Sequence, residues 1–329
     1  MPIRNGLILV LLLMVFSSVC VAQDDDPIRV DSSIVRLNVG VVDDRGRPIT
    51  SLGQSSFTIY EDGVKQDISR FVAAPAPFSV VMMLDMSGST KSFRQNIALS
   101  AARFLDALAP EDRVSVIEFY SKVNVLNEFT SDRERILHSI QVANGSGETN
   151  LYKGFEIALE KLAKEGNRRK AIVVLTDGVD TKAKNLDRDL LSKLRGQEVL
   201  TAIKPDSNET LARLLDRADR LGVTIYPLAL PTGDPAKLAD PTPVQVAMYS
   251  AARSRLQLVA DRTGGTLNAI TRLDEMSRLY ALIAADLRTL YTIEYQPANL
   301  NKDGKWRSIK VEVTEPGLIA RSRQGYFAK

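Results

Sequence analysis

Hydrophobic and polar residues alternate near both ends of the chain. In residues 34–42, IVRLNVGVV, every second side chain is apolar, which is typical of a strand with one buried face. Residues 57–71, FTIYEDGVKQDISRF, have the pattern of two extended pieces joined by a turn at Asp62-Gly63. The alternation returns in LYTIEYQP (290–297) and WRSIKVEV (306–313). Because neither terminal segment has enough strands to be stable alone, we expect the two to pair in one antiparallel β unit.

The middle of the chain has a different pattern. The runs FSVVMMLD (78–85) and KAIVVLTD (170–177) are almost continuously apolar, as expected of strands buried on both faces of a parallel sheet. Helical stripes lie between such runs, and we place helices at 91–109, 151–164, around 186–195 and at 209–221, among others. Strands that alternate with helices over 78–288 predict a doubly wound, mostly parallel α/β domain of Rossmann-like type.

The first 22 residues differ from the rest. Arg4 is followed by the apolar run GLILVLLLMVFSSVCVA, and small residues lie near its end. We interpret this segment as an export signal cleaved after Ala22; the alternatives are an uncleaved membrane anchor and a lipoprotein modified at Cys20. The predicted organisation is therefore a signal peptide (1–22), an N-terminal β segment (23–77), the α/β domain (78–288) and a C-terminal β segment (289–329).

Composition limits the function. Hydrophobic residues make up 44% and charged residues 25% of the 329, which is typical of a globular protein. The net charge is only +3, and no basic cluster is interleaved with aromatic residues, so we expect no nucleic-acid partner. Cys20 is the only cysteine and His138 the only histidine. After cleavage the protein would have no thiol chemistry, and a zinc site is not expected.

Two buried strands run into aspartates, Asp85 and Asp177. In an open parallel sheet, ligands collect beyond the carboxyl ends of the strands. Two carboxylates brought together there repel each other unless a cation lies between them or one of them is protonated. Ser87 and Ser89 follow Asp85 at alternate positions, so both hydroxyls can point the same way. Oxygen ligands with few carboxylates suit Mg²⁺, and Mn²⁺ or Ca²⁺ could substitute.

The motifs DMSGS, TNLYKG and LTDG, in this order, resemble those of the von Willebrand factor A domain family. The resemblance covers about 78–288 and implies a metal-ion-dependent adhesion site. The residues that match this site are Asp85, Ser87, Ser89, Thr149 and Asp177. It further implies that a carboxylate of a partner protein completes the coordination of the metal. The flanking segments resemble the von Willebrand factor A-related proteins described from acidobacteria. The segment 181–222, which follows the second aspartate, is longer than the usual segment of the family. The shape of the rim of the site is therefore not implied by the resemblance.

Other interpretations remain open for the same residues. Ser89, Thr90, Thr149 and Asn150 could simply cap helices. The protein could be a structural envelope protein whose metal site is unused. A phosphotransfer hydrolase is a further alternative, but such enzymes place a second acid where this chain has Ser87. We expect a non-enzymatic binding module, exported to the periplasm, cell surface or medium, that contacts the membrane only through its N-terminal segment.

Overall fold

The computed structural model describes residues 34–237 and 239–329. The predicted signal peptide and the start of the N-terminal β segment lie outside these residues. Within the described part of the chain, no helix is both long enough and apolar enough to cross a bilayer. The domain boundaries given above stay predictions.

The described residues form fourteen strands and eight α-helices. The strands are β1 Val35–Val42, β2 Phe57–Glu61, β3 Val64–Gln66, β4 Ile68–Val72, β5 Phe78–Asp85, β6 Arg113–Phe119, β7 Val123–Thr130, β8 Arg169–Thr176, β9 Val223–Ala229, β10 Asn268–Ala269, β11 Tyr291–Tyr295, β12 Trp306–Val313, β13 Ile319–Arg321 and β14 Gly325–Phe327. The helices are α1 Arg94–Asp106, α2 Arg133–Val142, α3 Leu151–Ala163, α4 Thr181–Leu191, α5 Glu198–Thr201, α6 Glu209–Leu221, α7 Pro243–Thr263 and α8 Met276–Thr289.

The central sheet has the order β10-β9-β8-β5-β6-β7, and only β7 runs antiparallel to its neighbour. All residues of β5 and β8 are buried, as their continuous apolar runs predicted. Helices α1 and α8 cover one face, where Phe104 and Tyr280 pack with ring centroids 5.5 Å apart. Helices α3, α6 and α7 cover the other face. A Cβ on Gly154 would lie 2.7 Å from the Cε of Met83, so this glycine lets α3 approach the sheet closely. The predicted doubly wound α/β fold is confirmed.

The terminal segments pair with each other, as predicted. One antiparallel sheet has the order β13-β1-β11-β4, with Val35 opposite Tyr295. The other has the order β14-β12-β2-β3, with Ile59 opposite Val311. Side chains of both sheets share one hydrophobic core, and the hydroxyl of Tyr295 donates a hydrogen bond of 2.7 Å to Glu61 Oε2. Strands from the two ends of the chain therefore depend on each other for burial.

Two details of the predicted helices were wrong. The helix expected around 186–195 begins at Thr181 and ends at Leu191, because the carboxylate of Asp180 accepts a hydrogen bond from the backbone N–H of Ala183 and caps it there. The helix predicted over 91–109 is α-helical only over 94–106, since residues 88–93 form a 3₁₀-helix. The predicted end of α6 at Gly222 is confirmed, with this glycine in the left-handed conformation (φ 62°).

Candidate metal centre

The candidate site lies where the strand order of the central sheet reverses. The chain passes from β5 to β6 on one side, and it later adds β8 on the other side of β5. Ligands of open α/β sheets bind in the crevice at such a point, beyond the carboxyl ends of the strands. Asp85 is the last residue of β5 and Asp177 is the first residue after β8. The two aspartates therefore emerge from adjacent strands at the expected edge.

Asp85 is completely buried and held at both carboxylate oxygens. Its Oδ1 accepts a hydrogen bond of 3.0 Å from the backbone N–H of Ser87. Its Oδ2 accepts one of 2.6 Å from the hydroxyl of Thr176. Thr90 fixes the following turn, because its hydroxyl donates to the carbonyl oxygens of Asp85 and Ser87. The orientation of Asp85 is thus set by contacts from the loop after β5 and from the end of β8.

A chain of hydrogen bonds joins the two serines to the second aspartate. The hydroxyl oxygens of Ser87 and Ser89 lie 3.2 Å apart. The hydroxyl of Ser89 donates a bond of 2.7 Å to Asp177 Oδ2, while Oδ1 of Asp177 accepts from the backbone N–H of Val179. Hydrogen bonds therefore link Asp85, Ser87, Ser89 and Asp177 into one group, with the backbone N–H of Ser87 making the contact to Asp85. Ser87 is fully buried and Ser89 is exposed, so the group opens to solvent on the side of Ser89.

Thr149 reaches the same edge on a third loop. The backbone N–H of Thr149 donates to the hydroxyl of Thr181 at 2.9 Å, and the N–H of Thr181 donates back to the carbonyl of Thr149. The same loop accepts a hydrogen bond at Gly147 O from the N–H of Gly88. Among the described residues, the Thr149 hydroxyl makes no hydrogen bond, including none to the other four candidate ligands. Its oxygen is thus available as a ligand.

The electrostatics of the group favour a cation. Burial, and next the charge of Asp177, raise the pKa of the Asp85 carboxyl to about 7. Within the described residues no cluster of three or more His, Cys, Asp or Glu side chains could hold a metal. The donor set is instead two carboxylates with three hydroxyls, which suits a hard divalent cation such as Mg²⁺. The residues present therefore fit the metal that the sequence predicts, although the metal itself stays a prediction.

The alternative of helix capping has little support from these side chains. Ser87 precedes the 3₁₀-helix at 88–93 and Asn150 precedes α3, but neither side chain makes a capping hydrogen bond. The hydroxyl of Ser89 is directed to Asp177 rather than to a helix end. His138, on α2, is exposed, as expected for a surface residue.

Sequence reasoning missed several residues that shape the site. Thr176 precedes Asp177 in LTDG and orients Asp85, a role that its polar side chain at the end of an apolar strand could have signalled. Burial lowers the pKa of Arg253 on α7, the charges of Asp234 and Asp177 act against this effect, and its Nη2 donates to Leu230 O. Gly233 packs against the backbone of Asp177, and a Cβ there would lie 2.0 Å from Asp177 O. No local sequence signal points to these last two contacts.

A family model described as "von Willebrand factor type A domain" matches residues 80–179, which include all five candidate ligands. The chain contains a von Willebrand factor type A (VWA) domain. Domains of this family generally mediate protein–protein interactions, and most are not enzymes. The particular likeness to the proteins from acidobacteria stays a prediction.

Several solved structures resemble the chain at low identity. The vWF domain of the type V pili tip protein Mfa5 from Porphyromonas gingivalis is 15% identical, with a TM-score of 0.47 over 64% of this chain and 94% of that one. A von Willebrand factor type A protein from Catenulispora acidiphila is 12% identical, with a TM-score of 0.47 over 91% and 74%. The pilus adhesin SpaC from Lactobacillus rhamnosus GG is 12% identical, with a TM-score of 0.47 over 84% and 48%. Likeness at this level says nothing about function.

Proposed function

We propose that the VWA domain is a non-enzymatic protein-binding module whose partner binds through a divalent cation. Mg²⁺, with Mn²⁺ or Ca²⁺ as substitutes, would be held by Asp85, Ser87, Ser89, Thr149 and Asp177. The observation that carries the proposal is the unbroken hydrogen-bond chain from Asp85 through the two serines to Asp177, around a fully buried carboxylate.

The donor set explains why a partner would be attracted. Two carboxylates only balance the charge of a divalent cation, and the remaining ligands are neutral hydroxyls. A cation with so few anionic ligands keeps affinity for a further carboxylate, whereas additional acidic ligands would satisfy it. The exposed side of Ser89 gives an incoming group access. A carboxylate from an acidic partner is therefore the group that we expect to complete the site.

A neighbouring surface supports an acidic partner. A groove of about 460 Å³ lies between α3, α4 and α6, and it begins at Asn150, one residue after Thr149. We call it the basic groove, because four cationic side chains line it against two acidic ones; the cations are Lys153, Lys182, Arg213 and Arg217, and the acids are Glu156 and Asp180. Asp180 is already engaged, since it accepts from the N–H groups of Tyr152 and Ala183.

The free charges of the basic groove point outward. Lys182 and Arg213 are exposed, and among the described residues neither forms a salt bridge. Leu186 lines the same groove and is 58% exposed, which provides an apolar contact beside the charges. An acidic segment that binds the metal with one carboxylate could continue along this groove. Opposite charges at such a surface speed association and select partners.

Calorimetric titration with Mg²⁺ tests the metal. We expect saturable binding to the wild-type protein and none to Asp85→Ala or Ser89→Ala. Ser89 is exposed, so its variant should fold normally. Asp67→Ala is the matched control, because Asp67 is exposed and distant in sequence from the site. Wild-type affinity in both site variants would refute the proposed metal centre. The better interpretation would then be a structural envelope protein whose metal site is unused.

Fluorescence anisotropy with a labelled oligoglutamate peptide tests the partner chemistry. We expect binding in Mg²⁺ that chelator abolishes, and about a tenfold loss when Lys182→Glu and Arg213→Glu are combined. The control combines Lys65→Glu with Arg103→Glu, two exposed cations on other elements. Binding that chelator leaves unchanged would contradict a metal bridge. Equal losses in the two double variants would contradict a role for the basic groove.

Export remains part of the proposal and rests on residues 1–22.

Release of inorganic phosphate from an aryl phosphate would support the alternative of a phosphotransfer hydrolase. This chain has Ser87 where such enzymes place their second acid. We expect no such release with or without Mg²⁺.

A further inference from the structure

A second charged cleft lies at the opposite, amino-terminal edge of the central sheet. It has a volume of about 320 Å³ and lies where the outer antiparallel strands meet β8. We call it the arginine cleft. Its charged lining residues are Arg36 on β1, Arg70 on β4, Arg168 just before β8, Arg169 at the start of β8, and Glu294 on β11. Four guanidinium groups thus face one carboxylate, a formal excess of three positive charges.

The single acid does not neutralise this excess. Glu294 Oε1 lies 2.7 Å from Nε of Arg36 and 3.6 Å from Nη1 of Arg70. Lys170, next to the cleft, is buried, and its pKa is lowered by burial first and by the charge of Arg36 second. Glu165, which precedes β8, is engaged by Arg113 at 2.9 Å. Asp112, whose charge acts on Arg169, accepts hydrogen bonds from the backbone N–H groups of Phe78 and Ala109 and does not line the cleft. The lining of the cleft therefore keeps an excess of positive charge.

Several guanidinium nitrogens of the cleft have no partner among the described residues. Arg169 is only 4% exposed; its Nη2 donates to Ala73 O at 2.8 Å, whereas its Nε and Nη1 are buried and make no hydrogen bond. Arg36 uses only Nε, so both of its terminal nitrogens are free. Arg168 uses Nε and Nη2 but not Nη1. Buried cations and donors without partners are costly, and an anion would offset that cost.

We propose that the arginine cleft binds a small ligand through a phosphate group. The excess of positive charge matches a dianion better than a single carboxylate does. Arginines from three elements, β1, β4 and β8, surround the cleft, and a tetrahedral oxyanion can accept hydrogen bonds from several directions at once. The volume is at the lower end of small-molecule sites, which leaves room for the organic part of a phosphate ester. Bound there, the ligand would join the outer strands to the central sheet.

Calorimetry and thermal unfolding of the whole protein test this proposal. Inorganic phosphate and glycerol 3-phosphate are titrated at constant ionic strength, with chloride and succinate as reference anions. We expect saturable binding of at least one phosphate compound, and a rise in melting temperature that the reference anions do not produce. Tighter binding of glycerol 3-phosphate identifies an ester as the ligand, while equal binding identifies free phosphate. Equal stabilisation by chloride, or tighter binding of succinate, would overturn the proposal.

Two variants locate the binding in the cleft. Arg70 is exposed, so Arg70→Ala should fold, and we expect it to weaken phosphate binding about tenfold. Glu294→Gln removes the only acid from the lining and should tighten binding about threefold or more. A purely structural role for Glu294 would not have this effect. Arg45→Ala, at an exposed turn, is the control. Wild-type phosphate affinity in both cleft variants would refute the assignment.

Discussion

Gly233 packs so tightly against the end of β8 that one added methyl group tests how rigidly Asp177 is held. The glycine is buried, and a Cβ built on it would lie 2.0 Å from Asp177 O and 2.9 Å from Asp177 C. Leu230, at the start of the same loop, donates its N–H to Thr176 O at 2.8 Å. The loop and the strand end are therefore joined, and neither can move freely without the other.

The size of the effect follows from this geometry. Real Cβ atoms stay at least 3.0 Å from such atoms, so Gly233→Ala must open the contact by about 1 Å. Because both sides of the contact are backbone, no side-chain rotation can relieve it, and overpacking of this kind costs about 3 kcal/mol. A binding site tolerates displacements of roughly 0.5 Å. We therefore expect the variant to lose both stability and the metal response.

Urea denaturation and Mg²⁺ titration measure the two effects separately. The control is Gly53→Ala: Gly53 has extended backbone (φ −91°), and the nearest atom to its Cβ would be Ser55 Oγ at 4.0 Å. That variant should stay within about 0.5 kcal/mol of the wild type. A Gly233→Ala protein with wild-type Mg²⁺ affinity would show that the loop moves instead of Asp177. Unchanged stability as well would refute the close contact itself.

Three further substitutions test other parts of the structure. Thr176→Val removes the 2.6 Å hydrogen bond to Asp85 Oδ2, so urea denaturation should show a loss of about 1–3 kcal/mol and calorimetry a weaker Mg²⁺ affinity. Arg255→Met leaves Asp187 buried without its bidentate partner, which should cost about 3–5 kcal/mol by urea denaturation; adding Asp187→Leu should restore most of it. Phe104→Ala should lose about 3–5 kcal/mol by urea denaturation, since Phe104 is fully buried in the core beside α8. The folded variant should keep its Mg²⁺ affinity, because Phe104 lies near the end of α1, about 15 Å along the helix from the start that follows the candidate site.

The central sheet could be predicted because its signals are local. The continuous apolar runs of β5 and β8 require burial on both faces, and only a parallel sheet covered by helices provides it. The start of α4 was missed because the capping role of Asp180 depends on where the chain turns after β8, which no periodicity records. The pairing of the two terminal segments could be predicted because neither has enough strands to be stable alone. Their division into two sheets could not, because it depends on pairing between strands distant in sequence, such as β2 and β12.

Most of the candidate ligands have a local sequence signal, whereas Thr149 is placed only by tertiary contacts. Asp85, Ser87 and Ser89 stand together in the sequence, and Asp177 ends a second apolar run, so each has a local signal. Thr149 was found only through resemblance, because its loop is placed by bonds to Thr181 and Gly88 that no spacing predicts. The arginine cleft was not predicted at all. Its arginines are scattered from residue 36 to residue 169 and meet only when the terminal strands pack on β8.

The two charged sites lie at opposite ends of the same strands, and this separation determines how they can interact. Strand β5 runs from Phe78 to Asp85 and β8 from Arg169 to Thr176, so seven rises of about 3.3 Å place the two edges about 23 Å apart. That distance is nearly three times the screening length of about 8 Å at physiological salt. Direct electrostatic coupling between a cation at one edge and an anion at the other is therefore weak. Each site has its own excess of buried charge, negative at the carboxyl edge and positive at the amino edge. We therefore expect a cation at the first site and an anion at the second. Because the charges at each site are independent, an experiment that refutes one proposal would not weaken the other.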